Sequence, residues 1–319
     1  MRVVRFPYEL PDGVTQSLLS SFLSCRKRCE LILQGWQPLE KSKLFSYGEL
    51  FHAVLEYYYK ELRGKRQIGE DFLPRAIGTW YQKVTEPGAQ FDIEHIEETC
   101  YTVAALWPEY QQRWQKQDLE WAWLDCERIF DVQFSGLRLR GKIDGLVRIG
   151  KSLWILETKT KSEISEDVLG MTLPFDFQNL FYITALKAEG VECIGAIYNI
   201  IRNPRLRRGK TETKDQFLER VIQDVRERPE HYFHRFEVPY DKETIKEFGK
   251  ELAFKLAEFR DWVNDILPTY KNQGSCVGRG YCPFLEACSS GKMYAYEQTR
   301  VLFEELRESP PLAEEEKKC

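Results

Sequence analysis

The stretch GKIDGLVRIGKSLWILETKTK, from Gly141 to Lys161, sets Asp144, Glu157 and Lys159 among apolar residues on what read as adjacent β-strands. Two converging carboxylates supply hard oxygen ligands, which suit Mg or Mn. Glu157 and Lys159 are two apart, so on a strand they share one face while Thr158 points to the other. A divalent ion lowers the pKa of a bound water, and an ammonium beside it positions that nucleophile or stabilises charge developing on a phosphoryl group. This is the residue set of a phosphodiester hydrolase. The same alternation is also a common pattern of a solvated strand face, and spacing alone does not separate the two.

The elements that must position these residues are legible around them. From about Cys126, FDVQFSG, LRLRGKIDGLVRI and SLWILETKT alternate with period two, with Gly136 and Gly150-Lys151-Ser152 at the connections. They predict a three-stranded antiparallel meander. Asp144 falls on its second strand and Glu157 on its third, so a short hairpin brings both carboxylates to one sheet edge. LPFDFQNLFYITALKAEG predicts an amphipathic helix ending at Gly190, and CIGAIYNII a strand after it. The order β-β-β-α-β gives an α/β (α+β) fold, a mixed sheet with a crossover helix. Beyond RNPRLRRGK, the pattern predicts a helix around KDQFLERVIQDVRER, a strand in YFHRFEVPY and a long helix over KETIKEFGKELAFKLAEFRDWVNDIL.

Upstream, TQSLLSSFLSCRKRCELILQGW and FSYGELFHAVLEYYYKELRG carry apolar residues at helical spacing, and Ser46 and Glu49 of the second have the arrangement of a capping box. Residues from about Asp71 to Glu120 read as a helical insertion. We therefore expect a helical N-terminal region over 1–120, a mixed-sheet core over 121–240 and a helical C-terminal region over 241–319 with a frayed charged tail, EEEKKC.

The chain has 319 residues, 43% of them hydrophobic and 13% aromatic, which suits a folded globular protein. The first residues lack the apolar run of a secretion signal, and no stretch approaches the length of a membrane span. A cytoplasmic protein without membrane contacts is the expectation. The net charge of -4 argues against nonspecific coating of nucleic acid, but a local basic surface still binds phosphates. Arg202, Arg205, Arg207, Arg208 and Lys210 fall within nine residues that contain no acid, a loop suited to phosphate contacts, and Arg26 to Arg28 add further charge. Aromatic residues are plentiful enough to offer stacking platforms for single strands.

Nine cysteines are unevenly placed, with Cys25 and Cys29 near the start and Cys276, Cys282 and Cys288 close together near the end. Such clustering suggests a metal or cluster site before disulfides. Four thiolates complete either an iron-sulfur cluster or a tetrahedral zinc site, and ligand count does not choose between them. Ordinary buried thiols are the plainer alternative. Cys100, Cys126, Cys193 and Cys319 are isolated and read as buried thiols or tail.

GKID followed by LETKTK and then QNLFY resembles the PD-(D/E)XK nuclease superfamily, specifically the RecB-like exonucleases that include CRISPR-associated members. The resemblance implies a restriction-endonuclease-like core in which Asp144 and Glu157 bind the metal and Lys159 serves the attacking water. It also implies that Gln178 and Tyr182, one turn apart on one helix face, orient the site and the DNA strand. Ile143 stands where the family has a proline. YGELFHAVLE is similar to the family's first motif, represented by Gly48, His52 and Glu56, with His52 an imidazole ligand. RecB-like members often hold a 4Fe-4S cluster with one N-terminal and three C-terminal cysteines, which by position are Cys25, Cys276, Cys282 and Cys288. The C-x5-C-x5-C spacing departs from the usual C-x2-C-x5-C, so Cys276 is the weakest match and Cys29 an alternative to Cys25. Zinc is the second choice of metal.

The implied activity is metal-dependent DNA exonuclease action on single strands or ends, in repair, recombination or CRISPR-type processing. A helicase or CRISPR integration partner fits this reading. The alternative is a nuclease-derived DNA-binding or processing module that depends on a partner and carries a structural cluster. A zinc-stapled binding protein ranks third.

Overall fold

The computed structural model describes residues 8–39, 45–66, 68–85, 93–277 and 281–298. The chain opens with α1 (Gln16–Ser24), whose N-terminus is capped by the Thr15 side chain accepting from the Leu18 N–H, and α2 (Arg26–Leu33). Cys25 between them is extended, so the expected continuous helix breaks there. Next come β1 (Trp36–Pro38), α3 (Phe45–Arg63), α4 (Phe72–Val84) and α5 (Ile93–Glu120). The predicted meander follows as β2 (Ala122–Phe134), β3 (Leu137–Ile149) and β4 (Ser152–Lys161). Then come α6 (Glu166–Thr172), α7 (Phe177–Ala188), β5 (Cys193–Arg202), α8 (Lys214–Glu227), α9 (Pro229–Tyr232) and β6 (Phe233–Pro239). The described chain ends with α10 (Lys242–Val263), α11 (Leu285–Ser290) and β7 (Tyr296–Gln298).

Five strands form a mixed sheet in the order β2-β3-β4-β5-β6, with β4 and β5 parallel and the other pairs antiparallel. Ser135 and Gly136, at φ 48° and 79°, close the β2–β3 hairpin in two residues, the positive-φ pair that the twist of a tight hairpin favours. This is the restriction-endonuclease-like mixed α/β architecture.

The two sheet faces carry separate apolar cores. On one, Ile143, Ile155 and Ile200 pack with Leu18, Phe181 and Trp262 from α1, α7 and α10. On the other, Val147, Leu156 and Ile201 pack with Phe51, Trp107 and Val221 from α3, α5 and α8. The stretch expected as a helical insertion is therefore part of the sheet's cover. A third, small cluster of Leu31, Phe284, Ala287 and Tyr296, with β1 paired to β7, fastens the C-terminal segment to α2.

Three local expectations change. All residues from Asn179 to Leu186 of α7 are buried, because α10 covers its outer side, with the Phe177 and Phe248 rings 5.6 Å apart. The helix is thus enclosed rather than amphipathic. Phe45 is already helical, which places Ser46 and Glu49 inside α3 rather than at its start. α10 stops at Val263, four residues short of the predicted end, where Asp265 takes φ 59° and the N–H groups of Ile266 and Leu267 turn back to the Asp261 carbonyl. The charged tail and Cys319 lie outside the described residues. No described helix is long and apolar enough to cross a membrane.

Candidate active site

β3 and β4 pair only from Ile149↔Ser152 to Gly145↔Leu156. Beyond that point β3 stays with β2 and β4 stays with β5, so the sheet splits between two central strands. Asp144 and Glu157 are the first residues past the last pair. The carboxylates therefore meet at an internal fork, not at the sheet edge expected from the hairpin. The Thr158 N–H spans the fork and donates to Asp144 Oδ2 at 2.7 Å. β2 distorts at the same level, where Glu127 lies opposite Asp144 with φ 53°.

Helices bring further groups to the fork. α7 is capped by Asp176, which accepts from the Asn179 N–H, and presents Gln178 and Tyr182 one turn apart. Gln178 Oε1 accepts from Lys159 Nζ at 2.7 Å, while its Nε2 donates to Glu157 Oε1 at 2.8 Å and to the Tyr182 hydroxyl at 3.0 Å. Lys159 Nζ lies 2.5 Å from Glu157 Oε1. Glu157 is only 3% exposed, which removes the solvated-face reading of the alternation. From α3, His52 Nδ1 stands 3.8 Å from Asp144 Oδ2, too far for a hydrogen bond. A Cβ on Gly48 would lie 2.7 Å from Thr160 Oγ1, so glycine lets α3 approach β4 and set His52 beside the fork. Glu56, one turn beyond His52, pairs with Lys60.

Two residues that sequence reasoning passed over also belong here. Lys142 Nζ contacts Glu127 Oε2 at 2.7 Å; the Lys142 charge lowers the Asp144 pKa against its burial, and the Asp144 charge raises Glu127. Lys142 is two before Asp144, so strand alternation alone could have suggested it. Glu127 needed the β2–β3 register.

Burial governs the electrostatics. It pushes the Glu157 carboxyl up to about 7, with Lys159 opposing, and raises Asp144 as well. Glu127 is likewise pushed up to about 7 by burial and by the Asp144 charge. Burial works against the Lys159 ammonium, but the Glu157 and Asp144 charges outweigh it and hold its pKa above the ordinary lysine value. His52 is lowered by burial to about 4 and is neutral near pH 7, the form in which imidazole ligates a metal. Two enclosed carboxylates and a neutral imidazole fit a hard divalent cation as a donor set. Among the described residues, no three His, Cys, Asp or Glu side chains are arranged as a ready metal site; Glu157 is instead engaged with Lys159 and Gln178.

Cys25, Cys276, Cys282 and Cys288 lie where the α1–α2 break faces the C-terminal segment, although among the described residues no three cysteines are arranged to hold a metal. Cys25 Sγ accepts from the Asn272 N–H at 3.4 Å, Cys276 Sγ donates to the Asn272 carbonyl at 3.7 Å, and the Cys282 N–H donates to the Cys276 carbonyl at 2.9 Å. Cys288 feels the charges of Cys282 and Cys25, although burial is the main cause of its raised pKa. Cys29 is fully buried in the α1 core, with its thiol 4.0 Å from the Leu18 carbonyl, and burial drives its pKa well up. The geometry thus groups Cys25, rather than Cys29, with the C-terminal three. All eight described cysteines are free of disulfides.

The basic loop is partly engaged within the protein. Arg202 donates to the carbonyls of His231, Ser162 and Ile164, Arg205 pairs with Glu163 at 2.8 Å and Arg208 lies 3.9 Å from Glu98. Arg207 and Lys210 are exposed. In the other run, Arg26 is buried against Glu258 and the Pro268 carbonyl, and Lys27 pairs with Glu30 at 2.6 Å.

A family model for the PD-(D/E)XK nuclease superfamily matches residues 14–289. No curated protein matches the chain. Among solved structures, a "Putative exonuclease" from Eubacterium rectale aligns over 92% of this chain and 99% of its own, at 11% identity and a TM-score of 0.47. SSO0001 aligns over 70% of this chain and 96% of its own, at 13% identity and a TM-score of 0.25.

Proposed function

The chain belongs to the PD-(D/E)XK nuclease superfamily, and from that premise we propose that it is a metal-dependent DNA exonuclease of the RecB-like type, acting on single strands or DNA ends. The observation that carries this reading is the Glu157–Lys159–Gln178 arrangement at the β3–β4 fork, facing Asp144.

In this reading Asp144, Glu157 and His52 hold Mg or Mn. The bound cation supplies Lewis acidity toward a phosphodiester and acidifies a water. Lys159, kept protonated by Glu157, offers N–H donors to the attacking water or to a phosphoryl oxygen as charge develops there. Gln178 holds Lys159 and Glu157 together through opposite ends of one amide, and its contact with Tyr182 fixes that amide's orientation. The Thr158 N–H fixes the Asp144 carboxylate. Arg207, Lys210 and, on exchange of their present partners, Arg205 and Arg208 are assigned to phosphates of the strand. Arg202 shapes the loop through its carbonyl contacts.

We assign Cys25, Cys276, Cys282 and Cys288 to a 4Fe-4S cluster that clips the two ends of the chain together, with zinc the alternative that metal analysis separates. A helicase or integration complex would supply unwound DNA.

The test is degradation of end-labelled single-stranded DNA by anaerobically purified protein with Mg, Mn or EDTA, beside Glu157→Ala. Metal-dependent loss of label that disappears in the variant supports the reading and identifies the end attacked. A folded protein that cleaves with neither metal overturns it in favour of a partner-dependent DNA-binding module.

A further inference from the structure

A cavity of about 240 Å³ opens between the first turns of α5, the start of α8 and the segment that follows β5. We propose that it receives one unstacked nucleobase of the substrate strand, next to the scissile position. The proposal rests on the nuclease reading and adds to it a subsite outside the fork.

Position is the first argument. The Asn203 N–H donates to the Lys161 carbonyl at 2.9 Å, so the cavity wall begins where β4 ends, two residues beyond Lys159, or about 7 Å along a strand. Tyr47, another wall, is five residues before His52 on α3, about 7.5 Å along the helix axis, and its hydroxyl lies 3.5 Å from the Arg202 carbonyl. The cavity thus shares α3 with the fork and opens beside the end of β4, on the α3–α5–α8 face of the sheet, within one strand's reach of the fork.

Lining chemistry is the second. The rings of Tyr47, Tyr101 and Phe217 supply aromatic surface, and Leu206 adds an aliphatic wall. Tyr101 is 51% exposed, so part of its ring is open to a stacked base. Asn203 and Thr102 place hydrogen-bonding groups on the rim, matching a ligand with apolar faces and a polar edge. Such a flat heteroaromatic group is a nucleobase, and it is available only from a strand whose bases are not paired.

Charge is the third. Arg208 lines the cavity, with its guanidinium 3.9 Å from Glu98, which also lines it. Exposed Arg207 and Lys210 stand on the same loop. A base seated in the cavity would leave its flanking phosphates beside these cations, where affinity is sensitive to salt. A free anion would find mostly apolar walls instead.

The experiment is an abasic walk. Wild-type protein in EDTA is titrated by fluorescence anisotropy against single-stranded 12-mers that carry one abasic nucleotide at successive positions. Loss of a stacked base should weaken binding about ten-fold at one position and much less elsewhere. Tyr101→Ala and the cavity-filling Leu206→Trp should flatten that profile. Equal affinity for all the abasic oligomers overturns the pocket, and if cleavage still depends on metal and Glu157 the nuclease reading stands without it. Absence of both single-strand binding and cleavage overturns both readings. If either variant fails to fold, the walk on wild-type protein decides alone.

Discussion

The backbone N–H of Thr158 donates to Asp144 Oδ2 at 2.7 Å across the point where β3 and β4 part. An asparagine at 144 retains an acceptor oxygen for that donor, whereas an alanine leaves the N–H without one. Asp144→Asn should therefore unfold in urea at a midpoint no lower than wild type at pH 8, while Asp144→Ala loses about 1–3 kcal/mol. Both should lose metal-dependent cleavage, by about 100-fold or more if the carboxylate stabilises charge as assigned. Cleavage retained by a folded Asp144→Asn would remove Asp144 from the site.

The raised Glu157 pKa makes a statement about the metal-free protein. Its folded value of about 7 lies above the ordinary 4.5, so the folded state binds the proton more tightly than the unfolded chain. That contribution to stability is fully present below about 4.5 and is lost as pH rises through about 7. In EDTA, the urea midpoint should carry a downward component between pH 5 and 8, and Glu157→Gln should reduce it. Glu127, shifted in the same sense, would keep part of the slope. Adding Mn at pH 8 should raise the wild-type midpoint and leave Glu157→Gln nearly unchanged. An unaltered pH slope in the variant would show that the Glu157 charge is not destabilising.

Much of this site was legible because it is local. Period-two alternation and the glycine connections located β2 to β4, and alternation alone put Glu157 and Lys159 on one face, where they touch. Helical spacing similarly aligned Gln178 with Tyr182. The fork was not legible, because where β3 stops pairing with β4 depends on long-range register. Glu127 escaped for the same reason. Burial of α7 on every side needed knowledge of α10, a later element, and the use of Arg202 on three distant carbonyls has no sequence signature.

Arg235 on β6 is buried beside Asp118 at 2.7 Å, with side chains 3% and 0% exposed. Its guanidinium also donates to Asn199, Gln117 and Tyr110 and lies over the rings of Trp114 and Trp121. Removing one partner strands the other charge, so Arg235→Met should cost about 3–5 kcal/mol in urea unfolding. The double variant Arg235→Met with Asp118→Leu should recover part of that loss. A double variant less stable than the single would mean that the polar network, rather than the stranded charge, dominates.

Gly48 reverses the ordinary helix preference. Alanine in a helix interior is normally favoured over glycine by about 1 kcal/mol, but here its Cβ meets Thr160 Oγ1 at 2.7 Å. Gly48→Ala should push α3 from β4, displace His52 and lower apparent Mn affinity in cleavage assays. Thr160→Ala removes the obstructing oxygen, leaving the Thr160 Cβ at 3.8 Å, and should restore much of the affinity to the double variant. No loss in Gly48→Ala would show that the contact yields without moving His52.

Cys25 and Cys29 lie four residues apart but in different surroundings, and metal content should separate them. Cys25 faces Asn272 and the C-terminal cysteines, so Cys25→Ser should lose iron and visible absorbance in anaerobically purified protein, as should Cys282→Ser and Cys288→Ser. Cys29 packs in the α1 core with its thiol toward the Leu18 carbonyl. Cys29→Ser buries a hydroxyl in place of a weakly polar thiol, which should lower stability by about 1–3 kcal/mol and leave iron per folded chain unchanged. Iron retained in Cys25→Ser but lost in Cys29→Ser would reverse the assignment. Stoichiometric zinc in wild type, without iron, would keep the thiolate clip and replace the cluster.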